Sequence, residues 1–339
     1  MRSALTVLLA FAAGVLLMVW WPGHRAPPVT TMHPAPAATI AAASSSDAAD
    51  VTAADGAPDG GYDWPDQAPT PEQVLYAQPR MMRDALAELT PRVAGKPNLY
   101  ALVFAGDGGE GVFRNEAEYA GPLFAKRFGA STHTLVLENS PAALTTRPLA
   151  TWSNLETALA GLEKVMRPEQ DILLLYFTSH GSEDHTLLVD MNPLPLDQIG
   201  ADDLAGILAA HRFKWKVVVV NACYSGGFVP PLRGPGTLVL TAARSDRSSF
   251  GCGSDSDVTY FGRAWLVDAL NRTPDFIDAF RQASGEISQW ERQDKLTPSE
   301  PQIDIGSGIA EQLALWRRGF TPGPKLAFKP EATTTAGAH

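Results

Sequence analysis

The stretch Ile172-Leu-Leu-Leu-Tyr-Phe177 is apolar at every position and runs through Thr178 into Ser179-His180-Gly181-Ser182. A strand with one face in water alternates apolar and polar residues, so an unbroken apolar run marks a strand covered on both faces. A second run, Val217-Val-Val-Val220, leads into Asn221-Ala-Cys-Tyr-Ser-Gly226. Outward from these two, short β-branched runs stand at 99–105, 134–137, 186–189 and 237–241, and the two central ones span 172–178 and 215–222. Stretches with the Leu, Ala, Phe and Ile spacing of helices lie between them, at 75–89, 117–128, 153–165, 202–211, 263–270 and 275–289. Doubly covered strands alternating with helices predict an α/β fold with a mainly parallel sheet.

The whole chain has 339 residues, 45% of them hydrophobic, which is enough for a full-sized core. Its 27 Lys and Arg against 37 Asp and Glu give a net charge of -10, so no global basic field exists to hold a nucleic acid. The two cysteines, Cys223 and Cys252, are too few for a disulfide scaffold or a four-cysteine zinc site.

Residues 4–21 are uncharged and apolar and end in Trp20-Trp21. As a helix they would extend about 27 Å, close to the hydrocarbon thickness of a bilayer. Segment 1–21 is therefore expected to be an uncleaved signal anchor, with a cleaved signal peptide as the alternative; Arg2 would lie inside and the remainder of the chain outside the cytoplasm, the periplasmic side in a bacterium. Segment 22–70, rich in Pro and Ala, reads as a disordered tether. The folded domain is expected over 71–320, followed by a flexible tail at 321–339.

In parallel sheets, ligands sit outside the carboxyl ends of the strands. His180 and Cys223 each follow such an end, which would bring an imidazole and a thiol to one rim. Nucleophilic cysteine catalysis needs that pairing, together with nearby glycines that let backbone N–H groups approach a reacting carbonyl. No cofactor motif accompanies them. Gly106-Asp-Gly-Gly-Glu-Gly111 lacks the Lys-Ser/Thr of a phosphate-binding loop, and His180, His185 and Cys223 lack a regularly spaced fourth zinc ligand.

Tyr176-Phe-Thr-Ser-His-Gly-Ser182 followed by Asn221-Ala-Cys-Tyr-Ser-Gly226 resembles the peptidase C13 family. That family contains the legumain-type asparaginyl endopeptidases and the catalytic subunit of the GPI-anchor transamidase, within the caspase-like clan. Val112-Phe-Arg-Asn-Glu-Ala-Glu118, Thr241-Ala-Ala-Arg-Ser-Asp-Arg-Ser-Ser-Phe-Gly-Cys252 and Thr259-Tyr-Phe-Gly262 fall in the family's order. The resemblance implies a caspase-like three-layer α/β/α sandwich, with Cys223 as nucleophile and His180 as general acid and base. It also implies an oxyanion hole from the N–H groups of Gly181 and Cys223, and a substrate pocket drawing on Arg114, Asn221, Ser248 and Ser249.

Three positions depart from the family. The Asn that orients the histidine falls on Val112, the acid two residues before the nucleophile is Asn221, and an acid after the Thr-Tyr segment is Arg263. An unpaired Arg114 in such a pocket would favour an acidic residue before the scissile bond. The activity expected is that of a membrane-tethered cysteine endopeptidase acting on peptide or protein. The alternatives are a transpeptidase or transamidase of the same chemistry and a non-catalytic peptide-binding module.

Overall fold

The structure is a computed structural model, and it describes residues 64–129 and 132–330. The signal anchor and nearly all of the tether lie outside the described residues. Among the described residues, no helix is long and apolar enough to cross a membrane.

Six strands form the central sheet: β1 (Leu99–Ala105), β2 (Thr132–Glu138), β3 (Ile172–Thr178), β6 (Trp215–Asn221), β7 (Thr237–Thr241) and β8 (Gln302–Ile305), in the order β2-β1-β3-β6-β7-β8. All neighbours are parallel except β7 and β8, which are antiparallel. Two further short strands, β4 (Thr186–Leu187) and β5 (Ile199–Gly200), pair with each other outside this sheet. The main helices are α1 (Pro71–Ala87), α2 (Gly111–Arg127), α3 (Trp152–Val165), α4 (Ala201–Ala209), α5 (Phe276–Gln293) and α6 (Ile309–Arg317).

The two faces of the sheet separate with period two, as strand geometry requires. Leu99, Ala101, Val103, Leu174, Tyr176, Val217, Val219, Leu238 and Leu240 enter one core with residues of α2, α5 and α6. Tyr100, Leu102, Phe104, Leu173, Leu175, Phe177, Val218, Val220 and Val239 enter a second core with α3 and α4. Each strand thus needs apolar side chains on both sides, which is why the runs are unbroken. The result is the α/β/α sandwich expected from the sequence.

Several boundaries differ from the sequence expectation. Helix α2 begins at Gly111 rather than Ala117, so Arg114 and Glu116 project from a helix and not from a loop. Residues Gly262–Ala269 wind as a π-helix. Its first residue is pressed against α2, since a Cβ on Gly262 would lie 2.1 Å from Glu116 Oε1. Such wide turns recur at functional sites.

The chain on either side of the expected domain is also tied down. Trp64 donates to the Pro69 carbonyl and packs with Val74, Leu149 and Met191. The flexible tail expected from 321 is held as far as Phe328: Asn271 and Leu326 exchange two 2.9 Å hydrogen bonds, Tyr119 donates to the Leu326 carbonyl, and Phe328 packs edge-on to Tyr119. Side-chain amide and phenol groups here satisfy the backbone of a segment that has no partner strand or helix.

Candidate active site

The carboxyl ends of β1, β3 and β6 lie side by side, with Ala105 opposite Thr178 and Thr178 opposite Asn221. Asp107, His180 and Cys223 each follow one of these ends by two residues, so the register alone brings them to one rim.

Cys223 stands at the turn from β6 into a short 3-10 helix, Ser225–Phe228. Tyr224 takes the left-handed conformation, φ 55 and ψ 14, to make that turn, and its N–H donates to the Arg247 carbonyl at 2.7 Å. Left-handed backbone is uncommon outside glycine and is retained where surrounding contacts fix it. Ala243 N–H donates to Ser225 Oγ at 3.1 Å, so the loop after β7 is tied beneath the nucleophile turn. This brings Ser249 to the thiol: its N–H lies 3.3 Å from Cys223 Sγ, and its hydroxyl and carbonyl oxygens both lie at 3.6 Å.

Cys252 follows on the same loop. Both cysteines are free and partly exposed. The Cys223 thiol is lowered to about 5 from an ordinary 9.0. The Cys252 thiol donating to it is the largest cause, the Ser249 hydroxyl and N–H add to it, His180 contributes, and burial opposes. Cys252 is raised in return, first by that hydrogen bond and then by burial. The negative charge rests on Cys223 because the backbone N–H and hydroxyl of Ser249 point to it.

His180 Nε2 lies 3.5 Å from Asp107 Oδ2, and the ring packs edge-on to Phe113 at 5.1 Å. Asp107 Oδ1 accepts from Gly109 N–H at 2.8 Å, and the chain around it is clamped to Asp190 by two 2.9 Å backbone bonds. Burial raises the Asp107 carboxyl against the opposing effects of Gly109 and His180. With Nε2 turned to Asp107, Nδ1 is the nitrogen left for the thiol and the substrate.

Gly181 is fixed by contact, since a Cβ there would lie 2.2 Å from the Cys223 carbonyl oxygen. The two backbone segments expected to form an oxyanion hole are therefore adjacent.

A model of the peptidase C13 family matches residues 153–311. Over those residues, just under half of the chain, the sequence is similar to that family. No curated protein matches it.

The C13 match includes His180, Gly181, Asn221, Cys223, Ser248, Ser249 and Cys252, but it leaves out β1 and α2. The stretch from β1 through α2 carries what the sequence reading missed. Asp107 lies in the Gly-rich loop that lacks the Lys-Ser/Thr of a phosphate-binding loop, and it takes the place beside His180 that Val112 could not fill. Its position two residues past a strand end is the signal that would have found it.

The second missed residue is Glu116, fully buried. Tyr176 OH, Thr178 Oγ1 and Asn221 Nδ2 donate to its Oε2 at 2.8, 2.6 and 2.8 Å, and Thr259 N–H and Oγ1 donate to Oε1 at 2.9 and 2.7 Å. A buried acid is thus supplied beside Asn221 from α2.

Asn221 is buried within this network, below the rim. Arg114, two residues before Glu116 on α2, pairs with the fully buried Glu138 at 3.5 Å. The argument for acidic substrates from an unpaired Arg114 therefore fails. Ser249 lies against the thiol, while Ser248 beside it is exposed. Arg263 pairs with Asp268 at the surface at 3.0 Å. Among the described residues, no three or more His, Cys, Asp or Glu side chains are grouped to hold a metal ion. The His185 ring lies over Gly227, where a Cβ would come within 2.0 Å of it.

Proposed function

We propose that this chain is a cysteine endopeptidase of the peptidase C13 type whose catalytic groups are Cys223 and His180, with Asp107 positioning the histidine. The reading is carried by one observation: Cys223 and His180 each stand two residues past the adjacent ends of β6 and β3, and His180 Nε2 lies 3.5 Å from the buried Asp107 carboxyl. Cys223 attacks the scissile carbonyl as thiolate, forming a C–S bond. The tetrahedral oxyanion meets the N–H groups of Gly181 and Cys223, a type of contact that contributes about 3–4 kcal/mol to barrier lowering. His180 Nδ1 gives a proton to the leaving amine as the C–N bond breaks, then takes one from the water that opens the thioester. Asp107 holds the ring so that Nδ1 faces the reaction.

The apolar segment 4–21 supports placing this chemistry at a membrane surface outside the cytoplasm, with peptide or protein as substrate. Resolution of the acyl-enzyme by an amine in place of water would make the same site a transamidase. Incubation of full-length protein with a mixed peptide library, with and without added hydroxylamine, separates these outcomes by mass spectrometry. Hydrolysis products that vanish in both Cys223→Ala and His180→Ala are expected. Peptide binding without cleavage or covalent labelling would show a binding module instead.

A further inference from the structure

Arg247 lies on the loop after β7 and is joined to the nucleophile turn through its main chain. Its carbonyl accepts from the N–H of Tyr224, the residue after Cys223, at 2.7 Å, and its own N–H donates to the Arg244 carbonyl at 3.2 Å. Two residues further on, Ser249 N–H lies 3.3 Å from Cys223 Sγ. Just before it, the loop is pressed against the turn, since a Cβ on Gly226 would lie 2.4 Å from the Ser245 nitrogen. The backbone of Arg247 is therefore fixed against the residue that follows the nucleophile.

The side chain, half-buried, has no such partners. Nε is buried without a hydrogen bond, and among the described residues the guanidinium forms no ion pair. The acid beside it in the chain, Asp246, turns both oxygens to Arg244, at 2.5 and 3.0 Å, and Glu300 meets the same Arg244 at 2.6 Å. Glu183, which reaches the turn from the loop after His180, accepts from Tyr224 OH at 3.3 Å. The other two arginines weighed for the substrate pocket are paired, Arg114 with Glu138 and Arg263 with Asp268. A buried donor left unanswered is destabilising, so an orphan of this kind beside a reactive thiol points to a group that answers it when substrate is bound.

We propose that Arg247 sets substrate specificity by receiving the carboxylate of an Asp or Glu side chain that flanks the bond to be cleaved. The inference rests on the reading of Cys223 as nucleophile and names a substrate class for that site. One carboxylate oxygen answers the Nε proton and the other an Nη proton, the parallel two-bond pairing for which a planar guanidinium is shaped. Asn or Gln at the same place offers one acceptor oxygen and no charge, so it meets one donor and leaves the other. Because the Arg247 main chain is bonded to Tyr224, an acid held there sets the register of the peptide against the thiol.

The test uses full-length protein and matched peptides that place Asp, Asn, Glu or Gln in turn at each position flanking one bond. Cleavage is read as kcat/KM, and affinity is read separately by fluorescence anisotropy on Cys223→Ala protein. An acid at one position is expected to be favoured over its amide by about tenfold in both readouts. Arg247→Gln should erase that difference, Arg247→Lys should keep part of it, and Arg247→Glu should turn the preference at that position toward Lys or Arg. The reversal is a gain that a misfolded variant does not imitate, and thermal unfolding is followed for each protein. Equal rates and affinities for acid and amide in the parent chain would overturn the proposal. So would an acidic preference that survives Arg247→Gln. A binding preference that Arg247→Gln erases, in a parent chain that cleaves none of the peptides, would count against the peptidase reading alone.

Discussion

Gly181 and Cys223 are packed backbone to backbone, with room for a hydrogen but not a carbon: a Cβ on Gly181 would fall 2.2 Å from the Cys223 carbonyl oxygen. The obstacle is main chain and cannot swing away as a side-chain tip would. Gly181→Ala is expected to destabilise the protein by about 1–3 kcal/mol, the usual cost of overpacking. It should also reduce turnover far more than substrate binding, because it displaces the N–H groups that meet the oxyanion. Thermal unfolding and steady-state kinetics check the two parts separately.

The lowered Cys223 thiol sets a pH window. Its folded value of about 5 lies below the ordinary 9.0, so the folded protein holds thiolate between these values while an unfolded chain holds thiol. The sign follows: this group adds stability above about 9, and the contribution is lost as pH falls through 5. Alkylation of Cys223 by iodoacetamide is expected to stay fast down to about pH 6 and to fall below 5. Cys252→Ala removes the largest cause of the lowering, so its alkylation profile should move to higher pH. A profile unchanged in the variant would mean that the Ser249 contacts suffice.

Asp107 offers a separation of stability from catalysis. Its carboxyl is raised by burial, so the folded state carries a penalty for its charge above its ordinary range near 3.8. Asp107→Asn should therefore leave thermal stability at pH 7 equal or higher. Loss of the partner that orients His180 should lower kcat by about 100-fold, within the span of general acid–base effects, with KM little changed. A variant equally active would show that the 3.5 Å contact has no positioning role.

Glu116 and Asn221 form a swap test. Glu116→Gln turns an acceptor into a donor amid donors, and each buried group left unsatisfied costs about 1–3 kcal/mol. Asn221→Asp places a second carboxylate beside the first and should destabilise by a similar amount. The double variant restores one acid and one amide, so it should recover part of the loss. Urea midpoints for the four proteins measure the coupling.

Much of this arrangement is written locally in the chain. The runs 99–105, 172–178 and 237–241 match β1, β3 and β7 end to end, because strands buried on both faces leave no ambiguity of period. Cys223 and His180 could be singled out because each directly follows such a strand. Strand β8 escaped notice because Gln302-Ile-Asp-Ile305 is only four residues long and half polar. The start of α2 was missed because Arg114, Asn115 and Glu116 are polar, although Asn115 and Glu116 are buried. No local pattern announces that Glu116 meets Asn221, because a buried polar network is specified by the packing of elements far apart in sequence. The same holds for Arg114 and Glu138, whose pairing removed the charge argument for acidic substrates.

The sheet ends at β8, a four-residue strand with Asp304 within it, paired on one side to β7. An open strand edge is a template on which another chain can continue a sheet, and short or charged last strands are how proteins blunt it. A second copy adding there would gain few backbone bonds and would bring its own Asp304 close to the first. This edge therefore terminates itself. Growth from it into a two-copy sheet or a fibre is opposed by the last strand, and concentrated protein should resist association through β8.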